Sequence, residues 1–293
     1  MAGEINNNAV DTIVNNYWQV QGKDTPGNCQ QSIFMANRYN NRGNKDSSFD
    51  INNGLDPSFN SYEQQAWLSI PKGLRNTIAG PTGNSNEIIL AHKYTDVYVD
   101  SQERPRGYPD SATMNQTEGG YLPQENGQIG IITWYSDTTA RKYSSDEAKY
   151  RAQAGLVHES MHALDFSLQG QSNAQVGSQS SEFIDAYKKD LANMTPQQKS
   201  ELHYFIQEGT DKKPTEAGLQ ETWAEVGAIL TFGHGSTPPS HPYGFLDDKL
   251  RQAFPNTMKV EQQMLNKYNE QSIIFDQKVM KEGFEPQIAK YCK

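Results

Sequence analysis

Apolar residues recur at helical spacing along much of the chain, and this pattern predicts most of its secondary structure. Two short helices are predicted near the start, from Asn8 to Gln21 and from Cys29 to Asn40, with turn-forming residues between them. The second half is predicted to be mostly helical, with helices ended by glycines or begun by caps such as Thr195 before Pro196. These later helices are expected over residues 144–170, 181–194, 196–209, 220–232, 246–253 and 257–270.

Three segments rich in Ile, Leu, Val and Tyr predict strands, over residues 87–94, 97–100 and 128–135. The last is the strongest, and it precedes the helix 144–170 by about ten residues. A strand in that position either lies buried within a sheet or forms the sheet edge on which an extended substrate adds as another strand. The pattern therefore predicts an α+β fold, with a small mixed or antiparallel sheet before a long helix and a mostly helical C-terminal part.

Residues 1–80 and 81–293 are expected to form two units. The first is predicted to be a helical and loop-rich subdomain, because the stretch from Asn41 to Asn60 is dense in Asn, Gly, Asp and Ser. The second carries the predicted strands and the long helix. At 293 residues the chain is long enough to bury a substantial core.

The long helix carries the most distinctive chemistry, because His158, Glu159 and His162 form the pattern HExxH. Residues i and i+4 lie one above the other on a helix, so both imidazoles are expected to reach one zinc ion while Glu159 points towards a water on it. An apolar stripe that includes Val157 and Leu164 runs beside the histidines and predicts that the helix packs against the core. Two surface histidines on an amphipathic helix are the plainer interpretation.

A catalytic zinc needs a third protein ligand, and two later glutamates, Glu221 and Glu225, are the best candidates. Their spacing of four places both on one helical face. Glu221 is expected to reach the metal while Glu225 accepts a hydrogen bond from a ligating histidine, and the reverse assignment stays open. Asp165 is a further candidate because it shares the helical face of His158 and His162, although three ligands from one helix converge poorly. A solvated acidic face is the remaining interpretation of the two glutamates.

The two blocks together resemble a known family of enzymes. HExxH followed by a helix with ExxxE is similar to the gluzincin metallopeptidases, and the segments HESMHALD and ETWAE resemble the anthrax lethal factor group. The resemblance covers about fifteen residues. It implies a zincin-like fold and a zinc endopeptidase in which Glu221 completes the metal site. The chain departs from the family in two places: Trp223 stands where the family has phenylalanine, and Pro214 stands where it has a tyrosine, so the transition-state donor must come from elsewhere.

The expected reaction is hydrolysis of a peptide bond, with Glu159 as the general base that takes a proton from the zinc-activated water. The oxyanion that develops needs a hydrogen-bond donor besides the metal. Tyr243 is the first choice because it lies in a Pro- and Gly-rich loop after the helix that carries Glu221. The sequence offers four more candidates for this donor: His203, Tyr204, His234 and His241.

Composition and charge limit the classes of partner that are expected. The formal net charge is −9 and the sequence pI is about 5.2, without a long run of Lys or Arg, so no nucleic acid partner is expected. No segment approaches the roughly 18 apolar residues of a membrane span, and a cleaved secretion signal is not recognisable. A protein or peptide substrate and a monomer are expected. Secretion, or translocation into a host cell as a bacterial toxin or effector, fits the motif, and a cytoplasmic location stays open.

Only two cysteines are present, Cys29 and Cys292, which excludes a disulfide framework and a cysteine-based zinc site. They pair if the termini meet, and a free reduced pair is equally compatible. Cys29 also lies at a predicted helix start, where a cysteine can serve as the nucleophile of a hydrolase.

Two further functions are compatible with the HExxH motif: a non-peptidase zinc hydrolase, and a catalytically inactive zincin-like module that only binds its partner. The intact Glu159 argues against the inactive module, because such a module needs no general base. Hydrolysis of a peptide bond therefore remains the first expectation.

Overall fold

The computed structural model of the protein describes residues 7–20, 28–44, 49–51, 57–80, 87–90, 119–121, 128–129, 145–171, 176–207, 209, 213–235 and 246–292. These residues are mainly helical. In chain order the helices are α1 (Asn7–Val20), α2 (Cys29–Asn40), α3 (Pro57–Ser69), α4 (Lys72–Ala79), α5 (Ser145–Gln171), α6 (Ser181–Asn193), α7 (Pro196–Glu201), α8 (His203–Ile206), α9 (Glu216–Thr231), α10 (Leu246–Ala253), α11 (Pro255–Lys278) and α12 (Glu285–Tyr291). A 3-10 turn spans Gly177–Gln179, and a π-helical stretch, Val279–Phe284, joins α11 to α12.

Most of the predicted helices are confirmed, and their caps explain where several of them begin. Helices α2 and α10 have the predicted bounds, and α5 covers the predicted long helix. Helix α9 begins earlier than predicted, because the side chain of Thr215 accepts a hydrogen bond from the backbone N–H of Gly218 and caps it. The predicted helix 196–209 is instead two short helices, and the second ends at Gln207, whose φ of 37° lies in the left-handed region.

Two parts of the chain are more helical than the sequence predicts. Helix α3 begins at Pro57, inside the stretch predicted as a loop, with proline at a position where its missing N–H breaks no intrahelical bond. Helix α11 continues to Lys278 and runs through the π-helical stretch into α12, whereas its apolar pattern predicts an end near residue 270. Packing against other helices therefore extends a helix beyond the residues at which its apolar periodicity predicts an end.

The predicted α+β fold, with its mixed or antiparallel sheet of the zincin type, is wrong. Among the described residues, strands occupy only β1 (Phe49–Ile51), β2 (Glu87–Leu90) and β3 (Gln128–Ile129), which pair in parallel in that order. These strands are short, and helices dominate the described residues. Residues that favour strands form one only where a partner strand is present. Two of the predicted strands are confirmed in part, over residues 87–90 and 128–129. Residues 91–94, 97–100 and 130–135, which hold the rest of the three predicted strands and most of the suggested substrate edge, lie outside the described residues.

The main core surrounds α5, the helix that carries the HExxH motif. The predicted apolar stripe points into it, with Val157, Met161 and Leu164 fully buried. Helix α9 packs along α5, helices α3 and α4 pack against other sides of it, and α11 packs against α4, α6 and α9. Large aromatic side chains fill the space between these helices: Trp67, Phe183, Tyr187, Trp223 and Phe254. The packing fixes the direction in which the histidine face of α5 points.

A smaller cluster joins the two ends of the chain. Helices α1 and α2 pack against the π-helical stretch, and α2 also packs against α12. Gly283 permits the close approach of α1, because a Cβ at that position would lie 2.5 Å from a methyl group of Val14. Cys29 and Cys292 form a disulfide that ties the start of α2 to the end of α12. The disulfide excludes the free-thiol and cysteine-hydrolase interpretations, because both sulfur atoms are bonded.

The N-terminal helices are not a separate layer, because α3 and α4 pack directly on α5 and α4 also packs on α11. The expected boundary between residues 80 and 81 stays a prediction. Within the described ranges, no helix has both the length and the apolar composition that a membrane crossing requires.

The stability of the protein is expected to depend on pH because of Glu63, a fully buried glutamate on α3. Neither of its carboxyl oxygens has a hydrogen-bond partner among the described residues, and burial raises its pKa to about 8. The unfolded chain loses this proton near pH 4.5, so between pH 4.5 and 8 the folded state binds one more proton and stability falls as the pH rises. Glu63→Gln removes this loss, and its advantage over the wild type is expected to grow by up to about 1.4 kcal/mol per pH unit.

Urea unfolding of both proteins at several pH values between 5 and 8 measures this difference. The exposed Glu270→Gln serves as the control and should follow the wild type. A constant difference in unfolding free energy between Glu63→Gln and the wild type would contradict the assignment.

The double substitution Cys29→Ser, Cys292→Ser is expected to lower the free energy of unfolding by about 2–4 kcal/mol, because the disulfide restricts the unfolded chain between its ends. Denaturant unfolding of the oxidised protein and the double variant measures the loss. Alkylation of both cysteines in the folded protein without reductant would show that the disulfide is absent.

Candidate metal centre

Helices α5 and α9 bring two imidazoles and one carboxylate together. His158 Nε2 lies 3.4 Å from Glu221 Oε2, and His162 Nε2 lies 3.7 Å from the same oxygen. One ligand atom from each of the three residues lies within 4.8 Å of the others, so the group could hold a metal ion. His158 and Glu221 are buried, and His162 is partly exposed. The structure thus brings these three candidates together, and their role as zinc ligands stays a prediction.

Glu225 contacts the opposite edge of the His158 ring. Its Oε2 lies 2.7 Å from His158 Nδ1, and its side chain is fully buried. A carboxylate accepts hydrogen bonds, so Nδ1 donates, and in the neutral imidazole Nε2 keeps its lone pair on the side of Glu221. The arrangement corresponds to the expected division of roles between the two glutamates. The reverse assignment is disfavoured, because Glu225 lies on the Nδ1 side of His158.

Two hydrogen bonds hold α9 in the orientation that this site requires. The indole Nε1 of Trp223 donates to the carbonyl oxygen of Met161 on α5 at 3.2 Å, and its ring packs edge-on against Phe183. The Thr222 hydroxyl donates to the carbonyl oxygen of Phe205 at 2.7 Å. Because these buried contacts fix the rotation of α9 about its axis, the two glutamates one turn apart both face His158.

Mutual interactions shift the pKa values of this group in opposite directions. Burial disfavours a charged His158, but hydrogen bonds to Glu221 and Glu225 outweigh burial and hold its pKa well above the ordinary value. Burial likewise disfavours an ionised Glu221, but His162 and His158 outweigh it and hold the pKa of that carboxyl well below its ordinary value. These shifts favour a proton on His158 and an ionised Glu221 in the metal-free protein. A divalent cation has to displace that proton, so acid weakens its binding.

The segment that follows α9 lies directly over Glu225. A Cβ at Gly235 would be 2.3 Å from Glu225 Oε1, so only glycine allows the backbone to come this close. The backbone N–H of Gly235 donates to Asp247 Oδ1 at 3.1 Å, and its carbonyl accepts a hydrogen bond from the Tyr150 hydroxyl at 3.2 Å. These contacts keep water away from the glutamate that holds His158. Sequence reasoning missed Gly235, because no local pattern marks a contact made across a turn.

Asp165 does not belong to the group that could hold a metal. The backbone N–H of Ser178 donates to its Oδ1 at 2.8 Å, and the Ser178 hydroxyl donates to its Oδ2 at 2.6 Å. Asp165 therefore ties the 3-10 turn to α5. Burial raises the pKa of this carboxyl, and the hydrogen bonds from Ser178 act in the opposite direction.

The first choice for the oxyanion donor, Tyr243, lies outside the described residues, as does His241. His234 is described, and its Nδ1 lies 3.1 Å from Asp247 Oδ2. It adjoins Gly235 and so lies on the Glu225 side of His158, away from the Nε2 atom that faces Glu221.

The remaining two candidate donors lie on the short helix α8. His203 is exposed, and its Nδ1 lies 3.0 Å from the carbonyl oxygen of Ser200. Tyr204 packs edge-on against the neighbouring Phe205. Local contacts explain both positions, and the oxyanion donor stays a prediction.

Glu159, the expected general base, lies beneath a short segment formed by residues 119–121. A Cβ at Gly119 would lie 3.2 Å from Glu159 Cγ and 3.6 Å from its Oε1. The Glu159 side chain is partly exposed, which leaves it within reach of water and substrate. Sequence reasoning missed Gly119, because the contact joins segments that are far apart in the chain.

Glu225→Ala is expected to weaken zinc binding by about 10–100-fold, because the hydrogen bond that orients His158 is lost. Gly235→Ala is expected to act in the same direction, since its methyl group displaces the Glu225 carboxylate. Titration against a competing chelator measures the affinity, and circular dichroism checks that each variant folds. Glu216→Ala, on the exposed first turn of the same helix, is the matched control. An unchanged affinity in Glu225→Ala would contradict the orienting role.

Comparison of the chain with protein-family models, with curated proteins and with solved structures finds no match. The chemistry of this site therefore has to be inferred from its own geometry and from the motif.

Proposed function

We propose that the protein is a zinc-dependent hydrolase of peptide bonds. The observation that carries the proposal is the convergence of His158, His162 and Glu221 from two helices, with Glu225 on the far edge of the His158 ring. Glu159, beside the first histidine, supplies the base that hydrolysis needs. The resemblance of HExxH and ExxxE to gluzincin peptidases supports the same reaction class, and peptide or protein is accordingly the proposed substrate.

The donor set fits zinc in kind and in spacing. Two imidazole nitrogens and one carboxylate oxygen are ordinary ligands of catalytic zinc, and three protein ligands leave one position open. Two ligand atoms about 2.1 Å from a tetrahedral ion lie about 3.4 Å apart. The distances from Glu221 Oε2 to the two Nε2 atoms are 3.4 and 3.7 Å, and all three ligand atoms lie within 4.8 Å of one another. Only small side-chain movements would therefore be needed.

The proposed mechanism assigns one task to each residue. Zinc, when bound, makes water more acidic and polarises a carbonyl oxygen. Glu159 accepts the proton from the attacking water and passes it to the leaving amine, so its carboxylate is restored at the end of the cycle. Glu225 accepts the Nδ1 hydrogen bond and keeps the His158 ring in the tautomer that binds metal. Burial of Glu221 and Glu225 strengthens these interactions, because little water competes with them.

Secretion is the proposed location, in preference to the cytoplasm. The disulfide between Cys29 and Cys292 supports it, because disulfides persist in oxidising compartments and are rare in the cytosol.

Metal content and peptide cleavage together test the proposed function. The wild type is expected to hold about one zinc ion per chain and to cleave a mixed peptide library until a chelator is added. Glu159→Gln should keep the zinc and lose at least about 100-fold in cleavage rate, whereas Glu221→Ala should lose most of the zinc. Metal analysis by mass spectrometry and peptide mapping give the two readouts, with the exposed Glu182→Gln as the control.

Each assignment has its own contradicting result. Full zinc occupancy in Glu221→Ala would refute the third ligand, and unchanged cleavage by Glu159→Gln would refute the general base. Zinc binding without cleavage of any peptide would refute the hydrolase and favour the inactive binding module.

A further inference from the structure

One exposed aromatic side chain lies on the same helix as the candidate metal centre. Large apolar residues that the structure describes as exposed are few: Ile33, Phe34, Leu68, Phe166 and Ile274. Among these five, Phe166 is the one that α5 carries. Half of its side chain is open to solvent. Burying such a ring against another apolar group is favourable, so an open aromatic side chain beside a candidate active site is a place where a ligand can bind.

Helical geometry places Phe166 on the face of the candidate site. Successive residues turn by about 100°, so Phe166 lies within about 20° of Glu159 and about 40° of His162 around the helix axis. It is displaced along the axis from Glu159 by about 10 Å. The ring is therefore about two turns from the general base, on the side towards the C-terminal end of α5.

Residues 119–121 contact the same part of α5, between Glu159 and Phe166. Gly119 lies over Glu159, and the ring of Tyr121 lies against Phe166 with 5.8 Å between the ring centroids. An extended chain advances by about 3.3 Å per residue, so the two residues from Gly119 to Tyr121 cover most of the distance along the helix. The segment thus runs alongside α5 in the same direction. It lines a path from the general base to the pair of aromatic rings.

Tyr121 is partly buried beside Phe166. Its side chain packs against the main core, and its hydroxyl oxygen is buried without a hydrogen-bond partner among the described residues. No cation is described in contact with either ring, and the carboxylate of Asp165, the residue before Phe166, is held by Ser178. The half-exposed ring of Phe166 therefore favours an apolar occupant, because covering it removes apolar surface from water.

We infer that Phe166 and Tyr121 form a subsite for a large aliphatic or aromatic side chain of the substrate, about two helical turns along α5 from the general base. This inference rests on the proposed function, because it takes the substrate to be a peptide held at the metal centre. Phe166 is a specificity-determining residue in this view and takes no part in the chemical step.

A set of amino-acid hydroxamates tests the subsite without requiring peptide hydrolysis. Hydroxamates of N-acetylated glycine, leucine and phenylalanine share one zinc-binding group and differ only in the side chain. The zinc-loaded wild type is expected to bind the leucine and phenylalanine compounds about tenfold or more tighter than the glycine compound, by isothermal titration calorimetry. In Phe166→Ala this preference should fall to about threefold or less, while affinity for the glycine compound and zinc content stay unchanged.

Two further variants show whether the effect is specific to this position. Phe166→Leu should keep most of the preference, because it retains an apolar side chain. Ile274→Ala, an exposed apolar residue on α11, should bind all three compounds as the wild type does.

Persistence of the full preference in Phe166→Ala would overturn the inference, as would equal binding of all three compounds by the zinc-loaded wild type. Both results leave the proposed function intact, because zinc content and cleavage are measured separately. A wild type that retains no zinc would instead refute the proposed function, and the subsite would fall with it.

Discussion

The packing of α9 against α5 is the constraint on which the candidate metal centre depends. Neither helix carries the whole group: α5 supplies two histidines and the expected base, and α9 supplies two glutamates. The indole of Trp223 bonds to a carbonyl of α5, and its ring is buried among other aromatic residues. That contact joins residues beside the candidate ligands on both helices, and it sets which face of α9 meets the histidines. The function proposed for the protein is thus a consequence of an ordinary helix interface with one polar face.

Burial determines how the charges of the histidine and glutamate side chains at this interface are balanced. Two carboxylates and an imidazole lie in a region from which most water is excluded, so each charge requires a partner of opposite sign. The raised pKa of His158 favours a proton there as part of that balance, and a divalent cation would have to replace it. The same burial orders the ring, because Glu225 has no nearby solvent to bond instead. The proposed metal would therefore meet side chains that are already ordered.

Other buried carboxylates in the molecule show why the group at His158 is different. Asp190 accepts hydrogen bonds from the backbone N–H and the hydroxyl of Thr257 at the start of α11, and Asp276 accepts from Tyr39, Arg42 and Asn76. Asp165 is likewise held by Ser178. Backbone, hydroxyl, amide or guanidinium donors bond these carboxylates and join elements of the fold. Glu221 instead faces imidazole nitrogens, which can bind either protons or metal.

Local sequence determined the helices and the chemical types at the candidate site, because periodicity, caps and the spacings HExxH and ExxxE act within one or two helical turns. It did not determine the fold class: residues 87–90 form a strand as predicted, but the extent of a sheet depends on partner strands far along the chain. The same limit applies to Asp165, which shares the helical face of His158 and His162 but is drawn to Ser178 by the turn after α5. Only the tertiary structure decided that Glu221 meets both histidines, that Gly235 covers Glu225 and that Cys29 meets Cys292. Each of these contacts joins segments whose separation in the chain carries no local signal, so only the packing of the whole molecule brings them together.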